Sequence, residues 1–237
     1  MSVMGKFSDR IVVVGGAAGN VGRAVSAVFY EAGASLALCD RHAEGLQQTY
    51  DGSDRVLVLE MDLASQESAD LMVEDVLRTF GRIDAFVALT GGFSMGTPLH
   101  LISSKEWESM MRLNVSTLSN VCHALVPHMR ERGYGKIVTV GARSALSGKA
   151  LMGAYCASKA TVIRLTETLS EENKHYGINV NCVLPSIVDT PQNRRDMPDS
   201  DFSTWVAPDA LADVIVFLAS DASRALHGAA VPVYGRC

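Results

Sequence analysis

The sequence contains no run of about 18 apolar residues, so nothing in it reads as a membrane-spanning helix. Its opening residues, Met1 to Arg10, carry no apolar signal core. The five cysteines (Cys39, Cys122, Cys156, Cys182 and Cys237) show neither C-x-x-C pairing nor metal-ligand spacing. Scattered in this way they read as reduced thiols and argue against a disulfide scaffold; a cytoplasmic protein without membrane contact is expected. Positive charge is scarce as well: 21 Lys and Arg stand against 26 Asp and Glu, and Arg194-Arg195 is the only adjacent basic pair. With a net charge of −5 the chain lacks the clustered cations needed to neutralise phosphates along a nucleic acid, so none is expected as partner. The six histidines (His42, His100, His123, His128, His175 and His227) form no triad or metal spacing, and no metal site is expected.

What is present is a core-rich globular composition, 48% hydrophobic and 20% charged over 237 residues. Short apolar runs rich in β-branched residues recur at 11–14, 35–39, 56–59, 85–89, 136–140, 178–183 and 229–233. They lack clean alternation, as strands covered on both faces do. Helical periodicity fills the gaps at about 20–32, 65–80, 103–131, 154–175 and 208–219. This rhythm predicts an α/β fold: one doubly wound Rossmann-type domain over 1–237, with a seven-stranded parallel sheet and helices on both faces. The stretch from Thr190 to Val206 has no clear period. It is read either as a substrate lid, 190–206, over the carboxyl ends of the strands or as a surface excursion.

Two features carry chemistry. Gly15-Gly16-Ala17-Ala18-Gly19-Asn20-Val21-Gly22 leaves the first strand and opens the first helix. A glycine turn there lets backbone amides approach a pyrophosphate at the positive helix end. Asp40, ending the second strand, can accept hydrogen bonds from an adenosine ribose and would repel a 2′-phosphate, which favours NAD. Arg41 beside it could tolerate that phosphate, so NADP stays open as the less favoured cofactor. Asp62-Leu63 would meet the adenine edge, and Thr90-Gly91-Gly92 would bring backbone close to the cofactor. The second feature is Tyr155-x-x-x-Lys159. On a helix that spacing puts both side chains on one face, roughly 5–6 Å apart at Cβ. An ammonium so placed is expected to favour the phenolate and lower the Tyr155 pKa toward neutrality, as a general acid or base requires.

Taken in order, the Gly16–Gly22 turn, Asp40, Asp62, Asn114 in Leu113-Asn114-Val115, the Tyr155/Lys159 pair, Pro185 and Thr190 resemble the short-chain dehydrogenase/reductase family along essentially the whole chain. The resemblance implies an NAD(P)H-dependent oxidoreductase moving hydride between nicotinamide and a small carbonyl or C=N substrate. It gives Tyr155 the proton and assigns Lys159 to the nicotinamide ribose. Asn114 would hold a relay water, and Pro185, Val188 and Thr190 would border the nicotinamide. It also implies a homotetramer or homodimer built on the 103–131 and Tyr155 helices.

Departures from the family pattern are informative. Ala142 stands where the family places a Ser, thirteen residues before Tyr155, and Ser144 lies two residues on. A loop hydroxyl either takes the missing role or satisfies local backbone. Asn20 replaces a usual glycine. Thr90-Gly91-Gly92-Phe93, Gly141-Ala142-Arg143 and the run from Leu184 to Arg195, continuing through Met197-Pro198 and Phe202-Ser203-Thr204-Trp205, are similar to the dihydropteridine reductase branch, which also lacks the Ser and prefers NADH. Asn114 is not typical of that branch. A generic ketone reductase or alcohol dehydrogenase is the alternative, and a non-catalytic nucleotide sensor the alternative of another class. Phe93, Met95, Met152, Met197, Phe202 and Trp205 are expected either to line the substrate pocket or to pack the lid.

Overall fold

The computed structural model describes residues 7–237. Seven parallel strands form one sheet in the order β3-β2-β1-β4-β5-β6-β7. They are β1 (Ile11–Gly15), β2 (Ser35–Asp40), β3 (Val56–Glu60), β4 (Ala85–Ala88), β5 (Gly135–Val140), β6 (Ile178–Pro185) and β7 (Ala230–Val233). The helices are α1 (Asn20–Glu31), α2 (Glu44–Thr49), α3 (Gln66–Phe80), α4 (Ser104–Met111), α5 (Thr117–Arg132), α6 (Gly153–Asn173), α7 (Pro191–Asp196) and α8 (Pro208–Leu218).

The absence of alternation in the strands has its cause in the two cores. Ile11 and Val13 of β1 face one core with Met72 and Val76 of α3, Leu125 of α5 and Val162 of α6. Val12 and Val14 face the other, with Val25 and Phe29 of α1 and Leu211 and Ile215 of α8. Successive side chains point to opposite faces, and both faces exclude water. Local signals set the helix ends. Ser65 caps α3 by accepting from Ser68 N at 3.4 Å, and Gly81, with φ of 76°, closes it. Pro208 begins α8, where its missing N–H costs nothing.

One expectation needs correction, and two elements add to what the sequence shows. The helix expected over 103–131 is broken: a wider π-type turn, Arg112–Ser116, separates α4 from α5. The apolar period runs through the break, so the pattern alone hides it. Helix α2 was not expected, because only Leu46 in it is buried and so little period shows. The segment 190–206 is not structureless; it holds α7 and a single turn at Phe202–Thr204, and Val188 pairs with Val206 across its base.

Candidate functional site

The strand order reverses direction between β1 and β4, and the crevice opens at their carboxyl ends. Gly16 makes the turn out of β1 with φ of 79°. A Cβ at that position would lie 2.7 Å from Thr90 N, so only glycine lets the turn nest against the β4 exit. Helix α1 then starts at Asn20 with Gly19 as its cap, no side-chain cap bond and no acid in its first turn. Its first amides, at Asn20, Val21 and Gly22, are left by the side chains to an anion. A Cβ on Gly19 would meet nothing closer than Gly16 O at 3.5 Å, so the protein itself does not require a glycine there. These features fit a dinucleotide pyrophosphate.

Asp40 is tied to the same turn: Oδ2 accepts from Ala18 N at 2.9 Å and Oδ1 from His42 N at 3.4 Å. Arg41 beside it is exposed. Asp62 accepts from Ala64 N at 3.0 Å and from Arg112 Nη1 at 3.1 Å. Burial pushes its carboxyl up, but the Ala64 and Arg112 hydrogen bonds outweigh that and leave its pKa below the ordinary value. Leu63 is buried, and its carbonyl accepts from Asn120 Nδ2 at 3.1 Å.

Tyr155 and Lys159 share one face of α6, as the spacing predicts, but their electrostatics are the reverse of the expectation. Lys159 is 7% exposed and donates from Nζ to Val140 O at 2.8 Å, down onto β5. Burial lowers its pKa to about 8, against a smaller opposing effect of the Cys182 thiol. Burial, helped by Cys156, raises Tyr155 to about 12. The expected depression of the Tyr155 pKa is therefore not found. Burial governs both groups, and the Lys159 amine is turned to the Val140 carbonyl. Phe93 packs edge-on against the Tyr155 ring, centroids 4.9 Å apart.

Asn114 lies on the π-type turn, 3% exposed. Its Oδ1 accepts from Gly92 N at 3.0 Å, and its Nδ2 donates to Gly92 O at 3.1 Å and to Ser158 Oγ at 3.0 Å. The Ser158 hydroxyl in turn donates to the Tyr155 backbone carbonyl at 2.8 Å. A Cβ on Gly91 would lie 2.7 Å from Asn114 Oδ1 and 3.3 Å from Lys159 Nζ. The structure thus brings Gly91, Gly92, Asn114 and Lys159 together. Because the amide N–H bonds of Asn114 are taken, a relay water there would have the remaining lone pair of Oδ1 to bind. Ser158 was missed in the sequence; it sits between Tyr155 and Lys159, but its partner is 44 residues away.

Ala142 is 5% exposed in extended backbone, and Ser144 lies half-buried on the following turn, Arg143–Leu146. Pro185 is buried at the end of β6. Val188 O accepts from Asn193 Nδ2 at 2.8 Å, and Thr190 Oγ1 caps α7 by accepting from Asn193 N at 3.1 Å. Of the apolar residues expected to line the pocket or pack the lid, Phe202 and Trp205 pack on each other, centroids 4.8 Å apart, with Trp205 7% exposed and Arg194 over Phe202. Met152 and Met197 are half-buried, whereas Phe93 and Met95 are open at the mouth. Among the described residues no three His, Cys, Asp or Glu side chains gather as metal ligands would. No helix there is long and apolar enough to cross a membrane.

A doubly wound sheet with a glycine turn at its switch point and a Tyr–Lys helix at its carboxyl edge defines a class: dinucleotide-binding oxidoreductases. Residues 10–201 match the family model described as short chain dehydrogenase. The chain belongs to that family, and it is an NAD(P)-dependent oxidoreductase. It is 30% identical to the (2S)-[(R)-hydroxy(phenyl)methyl]succinyl-CoA dehydrogenase subunit BbsD of Thauera aromatica, over 97% of this chain and 96% of that one. It is also 30% identical to D-threitol dehydrogenase of Mycolicibacterium smegmatis, covering 97% and 93%. Among solved structures, NAD+-bound xylitol dehydrogenase superposes with a TM-score of 0.89 at 25% identity, covering 97% and 99%.

Proposed function

We propose that the chain is an NADH-preferring reductase of a small conjugated C=N or carbonyl substrate, of the dihydropteridine-reductase kind. The observation that carries this reading is Tyr155 at the mouth of the crevice, against Phe93, with no hydroxyl at position 142. NAD would be held by the Gly16–Gly22 turn, Asp40, Asp62, Leu63, Thr90, Gly91, Pro185, Val188 and Thr190, with Lys159 on its nicotinamide ribose. When bound, the nicotinamide supplies the hydride. Tyr155, its phenol held at about 12, keeps its proton at neutral pH and is prepared to donate it to the substrate. Lys159, near 8, is poised to exchange a proton with solvent or ribose in the same pH range. Asn114 fixes the Gly91–Phe93 loop against α6 and leaves its carbonyl for a water. The Ser144 hydroxyl, two residues past position 142, is the candidate for the absent polarising role. Asp40 on the glycine turn favours NAD, with NADP the lesser choice through Arg41.

Without a Ser at 142 an isolated ketone loses a donor worth about 2.7–4 kcal/mol in the transition state. A conjugated C=N system needs less. A second reading, ketone reduction or alcohol oxidation, is favoured by the relatives: one name carries a phenyl-bearing acyl-CoA, the other a polyol. The segment 190–206 serves as the lid in either case. The groove between α5 and α6, lined by Leu118, Cys122, Val126, Leu165 and Leu169, supports assembly into a homodimer or homotetramer in the cytoplasm. The test is a screen by nicotinamide absorbance with quinonoid dihydropterin and a panel of ketones, using NADH and NADPH. The expected result is oxidation of NADH at least about tenfold faster than NADPH, with dihydropterin the better substrate. Preference for NADPH, or for ketones, would replace this reading with the second.

A further inference from the structure

The rim around Tyr155 has features that proton transfer does not require. Leu151, four residues before Tyr155, has φ of 63°, one of two non-glycine residues in the left-handed region among the described residues. A leucine is disfavoured there, and such backbone persists only where its surroundings fix it. Here the fixing contact is visible: Leu151 O accepts from Gly96 N at 2.9 Å, tying the turn before α6 to the loop after β4. The side chain so held is 42% exposed.

Opposite Leu151 the loop after β4 presents the same character. Phe93 and Met95 are 62% and 61% exposed, while Ser94 between them turns its hydroxyl away to the Glu106 carboxylate. The alternation leaves two apolar side chains at the mouth, one of them against the Tyr155 ring. Leu99 continues the rim over the start of α6, where a Cβ on Gly153 would meet it at 2.8 Å. Across 91–103 and 144–153 the only ionisable side chains are His100 and Lys149. An exposed apolar patch continuous with a reactive group is a surface that becomes covered in use.

We propose that Phe93, Met95 and Leu151 bind a ring-sized apolar face of the substrate, so that the enzyme selects cyclic or aryl ketones and imines over open-chain hydroxylated carbonyls. The occupant is a small molecule: the patch adjoins the Tyr155 phenol through Phe93, and the Gly96–Leu151 bond ties the exposed Leu151 to the same loop. The proposal rests on the reductase reading and narrows its substrate class.

The test compares acetophenone with dihydroxyacetone in the NADH-loaded enzyme, for the unmodified chain and for Leu151→Gly. Glycine relieves the left-handed conformation, so the variant is expected to fold with no loss of thermal midpoint. The unmodified enzyme should favour acetophenone by about a hundredfold in kcat/KM, and the variant should cut that ratio about tenfold. Saturation-transfer NMR of acetophenone on the NAD+-loaded protein reads the rim without turnover, and its signal should fade in Leu151→Gly. If neither these ketones nor quinonoid dihydropterin turn over but that signal still depends on Leu151, the rim stands and the reductase reading falls. Equal kcat/KM for the two ketones, or a ratio unmoved by Leu151→Gly, overturns the proposal. A variant whose only change is weaker self-association also overturns it, since the patch would then be covered by a second copy.

Discussion

Lys159 carries a buried ammonium whose one hydrogen-bond partner is the carbonyl of Val140. A buried charge so thinly matched is a cost to the fold, kept for what the amine does. Its folded pKa, about 8, lies below the ordinary lysine value. Below pH 8 the group is charged in both states, and the folded state bears the full desolvation penalty. As pH rises through 8 the folded protein releases the proton first, and the penalty fades until the unfolded chain also deprotonates near 10.5. Lys159→Met should therefore stabilise the protein by about 1–3 kcal/mol at pH 7, with the gain shrinking between pH 8 and 10.5. Thermal unfolding at pH 7 and pH 10 checks this; a variant less stable at pH 7 would mean the amine is better solvated than its position indicates. The Tyr155–Lys159 face was legible from spacing alone. The direction of the Tyr155 shift was not, because it depends on where β5 places the Val140 carbonyl, nineteen residues away.

Among the elements, strands and cofactor turn were the most legible and the interrupted helix the least. The strands announce themselves because both faces are apolar, and Gly16 because its position tolerates nothing else. The break at Arg112–Ser116 leaves no compositional mark: one extra residue per turn keeps Met110, Leu118 and Leu125 buried on either side. Such wide turns are frequent at functional sites, and here the break sets Asn114 against Gly92 and Ser158. Asn114→Ala leaves the Gly92 N–H and C=O without their partner and frees the loop that carries Phe93. The expected loss is about 1–3 kcal/mol, seen as a ten- to hundredfold fall in kcat/KM. Undiminished kcat/KM would show that the loop holds its place without the side chain. The 190–206 segment was readable as irregular, but not its internal order. Asp189–Arg194, at 2.6 and 2.7 Å, and the Phe202–Trp205 pair are contacts between residues with no shared period.

Across the whole molecule, the crevice is set by the sheet order, and the opposite edge of the sheet holds that order in place. Asp84 enters β4 at 1% exposure and accepts from Ile11 N at 2.8 Å, Arg82 Nε at 3.0 Å and Arg132 Nη1 at 3.3 Å. Arg10 lies 3.7 Å from it. One carboxylate thus joins β1, β4 and α5 beneath the switch point. Asp84→Asn leaves three guanidinium groups around a neutral amide and should cost about 3 kcal/mol. That corresponds to a fall of roughly 6–12 °C in Tm; an unchanged Tm would make the cluster a surface feature. At the other edge lies Tyr155, which we propose supplies the proton that follows hydride transfer. The most direct measurement is turnover and NADH binding by Tyr155→Phe, which keeps the ring and its Phe93 contact and removes only the hydroxyl. Loss of turnover by a thousandfold or more with NADH affinity unchanged is the predicted result. Full turnover in that variant would contradict the account.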